Sequence, residues 1–119
     1  FMGAPAMNMF EARITAKNVV SIGDTKFETE TDLSRVRSKN IKLGIRSEFV
    51  ELTHESGSNR ISVNIERVDD FGNFLMVSAK YGENTIKAKV KRDVAIPAGR
   101  AWLRFIEKRC CVYSDELII

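Results

Sequence analysis

Few residues of this chain have the types and spacing that a catalytic or metal site requires. The single histidine, His54, lies between Glu51 and Glu55, an arrangement that offers a general base but is more typical of a solvated loop. Zinc sites need several converging His or Cys side chains, whereas the two cysteines, Cys110 and Cys111, are adjacent. We therefore expect no catalytic residue and no metal site in these residues.

The glycines also argue against a nucleotide-hydrolysing loop. A P-loop needs a glycine-rich turn followed by Lys and then Ser or Thr, but the seven glycines here are scattered and none precedes such a pair. Because catalytic, metal and phosphate-binding patterns are all missing, we expect that this chain is not an enzyme and holds no cofactor.

Length and composition indicate one domain without a strong charge. The chain has 119 residues, a net charge of +3 and 44% hydrophobic residues. A chain of this length can form a hydrophobic core without disulfides or structural metals. Its apolar runs are far shorter than the roughly 20 residues needed to cross a bilayer. Adjacent cysteines form a disulfide only with strained geometry, so we interpret both as reduced thiols of a cytoplasmic protein.

Alternation of apolar and polar residues, the pattern of half-buried strands, recurs along the chain. The segments that show it are 9–15, 19–22, 41–45, 60–65, 85–91 and 101–106. Turn residues at 70–73, 81–84 and 97–99 separate them and predict a meander from about Asn59 to Val90. Asp32–Lys39 has the acidic cap and basic end of a short helix. No sequence repeat is visible. These patterns predict an all-β fold, a small OB-like barrel or sandwich of short antiparallel strands with at most one or two short helices, and we favour a barrel of two interleaved OB-like halves.

Two basic clusters raise nucleic-acid binding as an alternative function. They lie at 35–42 and 87–92, and the aromatic residues available to stack bases on an OB-like barrel are Phe10, Phe71, Phe74 and Tyr81. The lysines of the second cluster are not interleaved with aromatic residues, which is typical of a solvated sheet face. We therefore expect no nucleic-acid partner.

Two segments resemble a known protein family. Residues 1–10, Phe-Met-Gly-Ala-Pro-Ala-Met-Asn-Met-Phe, resemble the junction that follows the nucleotide-binding domain in ATP-binding subunits of carbohydrate-type ABC importers. Residues 43–50, Leu-Gly-Ile-Arg-Ser-Glu-Phe-Val, are similar to the L-G-I-R-P-E-H-V signature of their C-terminal transport-associated OB (TOBE) region. Similarity at 68–73 and 106–113 extends the likeness over nearly the whole chain. Ser47, Phe49 and Cys111 depart from the family pattern.

The resemblance implies a function for the chain and for the subunit that would contain it. Residues 1–119 would be a single C-terminal TOBE regulatory domain, and an upstream ATPase domain absent from them would bind ATP and Mg²⁺. The full subunit would drive import of a sugar, polyol or glycerol-phosphate-type solute at the cytoplasmic face of the plasma membrane. Its partners would be its own ATPase domain, a second ATP-binding subunit in a homodimer, and the permease subunits. The alternative is a free OB-like module that binds nucleic acid or a small oxyanion.

The residues that we expect at a regulatory interface come from the two family-like segments. They are Met7, Asn8, Gly44, Ile45, Arg46 and Glu48. Gly44 permits close backbone approach, and Arg46 with Glu48 can pair across a turn or contact a neighbouring domain. We expect a two-fold dimer centred on the apolar segment 1–10 or on the strand face near 44–46. The alternative is a monomer that takes Met7 and Met9 into its own first strand.

Overall fold

The computed structural model describes residues 7–115 and 117–119, which form eleven strands and two single-turn 3-10 helices. The strands are β1 (Met7–Ala16), β2 (Val19–Ile22), β3 (Thr25–Glu28), β4 (Ile41–Arg46), β5 (Val50–Thr53), β6 (Arg60–Asp70), β7 (Leu75–Tyr81), β8 (Asn84–Val90), β9 (Arg100–Phe105), β10 (Cys111–Ser114) and β11 (Leu117–Ile118). The 3-10 turns, Ser47–Phe49 and Glu107–Arg109, follow β4 and β9. The prediction of an all-β fold is confirmed.

The strands form two antiparallel sheets. The first has the order β11-β10-β4-β1-β2-β3, and the second has the order β5-β9-β6-β7-β8. The predicted meander is confirmed, because β6 pairs with β7 and β7 pairs with β8. Its two turns contain Gly72 and Gly82 at φ of 92° and 58°, a left-handed conformation that glycine adopts without steric cost.

The two halves of the chain have the same topology and exchange their last strands. In each half three strands form a meander, the fourth pairs with the first, and a 3-10 turn leads the fifth into the other sheet. As a result β5 pairs with β9, and β10 pairs with β4. Matching positions are occupied by Phe10, Leu43 and Val112 in the first sheet and by Ile61, Leu103 and Leu52 in the second. The fold therefore repeats although the sequence does not, because equivalent sites need only similar apolar character.

The core draws its side chains from both sheets. At its centre Phe105 stacks on Phe10 and Phe27, with ring centroids 6.1 and 4.6 Å away. The alternation read from the sequence is realised in β8, where Ile86 and Val90 are buried and the lysines between them are exposed. Burying an aliphatic or aromatic side chain of this size stabilises a fold by about 1.5–3 kcal/mol.

The prediction of a short helix at Asp32–Lys39 is wrong. Asp32 does accept hydrogen bonds from the N–H and hydroxyl of Ser34, at 3.0 and 2.7 Å, but a single turn follows. The N–H of Leu33 instead donates to the C=O of Lys17 at 2.6 Å, and the Leu33 side chain is 2% exposed. A helix of eight residues has little cooperative stability of its own. The hydrogen bond from Leu33 to the β1–β2 loop therefore decides the backbone conformation of this segment.

Candidate interaction site

The predicted interface residues lie together, where β1 begins and β4 ends. The register pairs are Met7 with Arg46, Asn8 with Ile45, and Met9 with Gly44. Met7 and Met9 thus belong to the first strand, as the monomer alternative requires, while Phe1 and Met2 lie outside the described residues. The exposed pair at this site joins Arg46 Nε to Glu48 Oε1 at 3.1 Å. A solvated ion pair contributes little stability, so a role for it at an interface stays a prediction.

Gly44 and Ile45 support this site from within the sheet. A Cβ on Gly44 would meet the Met9 sulfur at 2.7 Å, and Met7 Cε and Tyr113 Cε1 at 3.0 Å. These three side chains therefore pack directly on the Gly44 backbone. The exposed fraction of Ile45 is 0%, so Ile45 positions the strand without presenting its side chain to a partner.

Two buried asparagines join the halves in the same way. Asn8 donates from Nδ2 to the C=O of Lys87 and accepts from its N–H at Oδ1, both at 2.9 Å. Asn59 makes the equivalent bonds to Glu28, at 2.9 and 2.7 Å, and also donates to the C=O of Phe105 at 3.3 Å. Each amide pairs with one residue at the outer edge of β8 or β3, as a neighbouring strand would. We call these two residues the edge clamps.

The family signature drew attention to Asn8, but sequence reasoning missed Asn59. Asn59 is 3% exposed and has a φ of 55°, a left-handed conformation that Asn adopts more readily than most residues. Its position at the end of a Gly- and Ser-containing loop, directly before β6, was the available signal. A single sequence does not separate such a clamp from an ordinary turn asparagine.

A groove of about 430 Å³ runs along β5. Its lining consists of Glu48, Val50, Glu51, Leu52, Thr53, Lys89, Val90, Lys91 and Val94. Val50 and Val90 are 2% and 5% exposed and form its apolar floor. The 3-10 turn and β5 supply one wall, and β8 with the residues after it supplies the other. We call this feature the β5 groove.

The two walls of the β5 groove have opposite charge. On the β5 side Glu51 Oε1 lies 2.6 Å from Arg104 Nη1, and Glu48 pairs with Arg46. On the other side Lys89 lies with its ammonium 4.5 Å from the ring centre of Phe74. Within the described ranges neither Lys89 nor Lys91 forms an ion pair.

The aromatic residues considered for base stacking do not form one platform. The expectation that Phe10 is available is wrong, because it is 4% exposed in the core. The Tyr81 hydroxyl contacts the β2–β3 turn instead. Phe71 and Phe74 stack on each other with centroids 5.2 Å apart, beside Lys89.

The cysteines and the histidine do not converge in the described residues. Cys110 is 6% exposed, and burial raises the pKa of its thiol to about 12, so it stays protonated at neutral pH. Cys111 is half-buried and His54 is exposed in the loop after β5. Among residues 7–115 and 117–119 no three His, Cys, Asp or Glu side chains come together as a possible metal site. In the same ranges no helix has the length and apolar character to span a membrane.

Comparison with known proteins supports the OB-like interpretation. Residues 3–50 match the family model described as the MalK OB fold domain. Among solved structures the chain is similar to the cytoplasmic molybdate-binding protein ModG in a form with molybdate bound. The TM-score is 0.70 at 12% identity, over 95% of this chain and 98% of that chain. No curated protein sequence matches this chain. The predicted OB-like fold is confirmed, and the chain contains an OB/TOBE-like domain.

Proposed function

We propose that this chain is the C-terminal regulatory and dimer-forming domain of an ATP-binding subunit of an ABC importer. The match of residues 3–50 to the MalK OB fold model carries the proposal, because it includes the L-G-I-R signature. In the full subunit an upstream domain binds ATP and Mg²⁺ and drives import of a sugar, polyol or glycerol-phosphate-type solute. The subunit lies at the cytoplasmic face of the plasma membrane against permease subunits.

The arrangement of β1 and β4 supports a regulatory role. Met7, where the chain from the ATPase domain would enter, pairs with Arg46 at the end of β4. One 3-10 turn then connects Arg46 to β5, which belongs to the other sheet. A change in the position of the ATPase domain would therefore act first on β1 and β4 and then on the β5 groove.

The test uses the encoded upstream sequence, the full-length subunit and the isolated chain. A P-loop and an ABC signature should lie within about one large domain's length before Phe1, and the full-length subunit should hydrolyse ATP. The isolated chain should show no turnover and no rise in melting temperature with Mg-ATP, since a ligand of the native state stabilises it. An upstream sequence without a P-loop, or saturable stabilisation of the isolated chain by Mg-ATP, would overturn the proposal.

Oxyanion binding is a second candidate, which the likeness to ModG over 98% of that chain favours. In a free module of this kind molybdate or sulfate should raise the melting temperature saturably, while chloride at equal ionic strength should not. A salt-sensitive affinity for an oligonucleotide would instead indicate the nucleic-acid alternative. Neither activity needs an upstream ATPase domain, so these measurements separate them from the first proposal.

A further inference from the structure

The β5 groove has the size and lining of a small-molecule site. Its volume is about 430 Å³, and a second depression of about 310 Å³ adjoins it. The two share Glu48 and residues 89–91, and the second is also lined by Asn73 and Phe74. Sites for small molecules are usually clefts of roughly 300–1,000 Å³ with an apolar lining and a few placed polar groups. The groove therefore has room for a small organic ligand.

The cations of the groove lie on one wall. Lys89 belongs to β8 and Lys91 follows it, and in residues 7–115 and 117–119 neither forms an ion pair. Two residues span about 7 Å of extended chain, so the two ammonium groups can contact one anionic group from two directions. The Lys89 ammonium already lies 4.5 Å from the ring centre of Phe74. This contact restricts the Lys89 side chain, which reduces the entropy lost when a ligand binds.

The carboxylates on the opposite wall do not cancel the charge of the two lysines. Glu48 pairs with Arg46, and Glu51 pairs with Arg104, so each carboxylate has a cation beside it. An ionised carboxylate has roughly four acceptor positions, so both can still accept hydrogen bonds from hydroxyl groups. A ligand in the groove therefore meets two cations on one side and hydrogen-bond acceptors on the other.

The floor between the two walls is apolar. Val50 and Val90 are 2% and 5% exposed, and Leu52 and Val94 line the groove beside them and pack against the core. Such a floor contacts the C–H surface of an organic group, whereas an inorganic ion gains nothing from it. The lining thus favours an anion that is attached to a small organic body.

We propose that the β5 groove binds a phosphate monoester of a small polyhydroxy compound, with the phosphate between Lys89 and Lys91 and the hydroxyl groups directed at Glu48 and Glu51. A phosphate monoester carries a charge of about −1.5 to −2 at pH 7 and three strong acceptor oxygens, which suits two ammonium groups. Binding depends on residues of this chain, whereas its regulatory meaning rests on the proposed function. A ligand beside Glu48 would act through the Glu48–Arg46 pair on the start of β1, where the upstream domain would enter.

Calorimetric titration of the 119-residue chain at low salt tests the ligand class, with glycerol phosphate as the probe. We expect saturable binding that weakens as salt is added, because partly exposed charges are screened. Inorganic phosphate lacks the organic body and propyl phosphate lacks the hydroxyl groups, so both should bind more weakly, and glycerol should not bind. The proposal is overturned if glycerol phosphate does not bind saturably, or if either of the other phosphates binds as tightly.

Lysine variants test the position of the phosphate. Lys89→Ala and Lys91→Ala should each weaken glycerol phosphate binding about tenfold, since each removes a hydrogen bond to a charged group. Lys87→Ala is the matched control, because Lys87 is exposed on the same strand but does not line the groove. The melting temperature shows that each variant is folded. Equal weakening in all three variants would indicate diffuse attraction to the lysines of β8, and no weakening would place the phosphate elsewhere; either result contradicts the proposal.

Amide NMR shifts locate the ligand independently of any substitution. On titration with glycerol phosphate the amides of residues 50–53 and 89–94 should shift, whereas those of a separate polar groove at 17–18 and 29–32 should not. Shifts confined to residues outside the β5 groove would overturn the assignment. A negative result in these experiments leaves the proposed transporter function intact, because that function is tested by the P-loop and the ATP hydrolysis of the full-length subunit.

Discussion

Replacing Asn59 with alanine should destabilise the fold more than any exposed asparagine would. Asn59 is 3% exposed and its side chain makes three hydrogen bonds, two to Glu28 across the boundary between the halves at 2.7 and 2.9 Å and one to Phe105 of its own half at 3.3 Å. Two of them hold Glu28 at the edge of β3. Alanine removes all three bonds, and the backbone groups of Glu28 and Phe105 then lose their side-chain partner.

The magnitude follows from the bonds and the backbone. Each hydrogen bond contributes a net 0.5–1.5 kcal/mol or so, which gives about 3 kcal/mol for three. Alanine at the φ of 55° adds about 1 kcal/mol, because its Cβ disfavours the left-handed region. We therefore expect a loss of about 3–4 kcal/mol in the free energy of unfolding for Asn59→Ala, and about 2 kcal/mol for Asn8→Ala, which loses two bonds.

Urea unfolding with linear extrapolation measures these losses, and Asn73→Ala, at an exposed turn position, is the matched control. Asn59→Gly separates the two contributions, since glycine loses the amide but accepts the left-handed backbone; it should be about 1 kcal/mol more stable than Asn59→Ala. Hydrogen exchange at the Glu28 amide should become faster in both variants. A loss for Asn59→Ala no larger than for the control, with unchanged exchange at Glu28, would refute the clamp.

Three further predictions concern a thiol, a glycine and an ion pair. In the native chain an alkylating reagent followed by mass spectrometry should modify Cys111 before Cys110, because burial raises the pKa of Cys110 to about 12; equal labelling would contradict this. Gly44→Ala should lower the free energy of unfolding by about 1–3 kcal/mol in urea, because the new methyl group overlaps the three side chains packed on that backbone; no change would show that they move aside without cost. The hydrogen bond from Arg92, followed by that from the Gly72 N–H, lowers the pKa of Asp70, so Arg92→Ala should raise it in an NMR titration. Because the folded pKa is the lower one, the stability from this pair is present above the ordinary Asp pKa and is lost as the pH falls through the lowered value.

The sequence alone determined the secondary structure wherever alternation extends over enough residues. The patterns in 41–45, 60–65, 85–91 and 101–106 each correspond to a strand of the structure. Alternation is a local property, because neighbouring side chains on a strand point to opposite faces. Alternation over four residues is a weak signal, because it predicted β2 at Val19–Ile22 but not β3 or β5, which have the same length.

The likeness to the family signatures selected residues that the structure places side by side, but it gave them no structural role. Met7, Asn8 and Arg46 are adjacent across the β1–β4 ladder, as a common site would require. Only the structure shows that the Asn8 amide is directed inward to β8. The helix predicted at Asp32–Lys39 was wrong for a related reason, since the anchor for Leu33 is a carbonyl far away in sequence, that of Lys17.

Only the tertiary structure decided how the strands are assigned to the two sheets. The exchange of β5 and β10 between the halves, the clamp at Asn59 and the groove between β5 and β8 all depend on which distant strand becomes a neighbour. A single sequence encodes which face of a strand is apolar. It does not encode which other strand will cover that face, because this choice depends on the packing of the whole chain and on the backbone groups that remain to be paired.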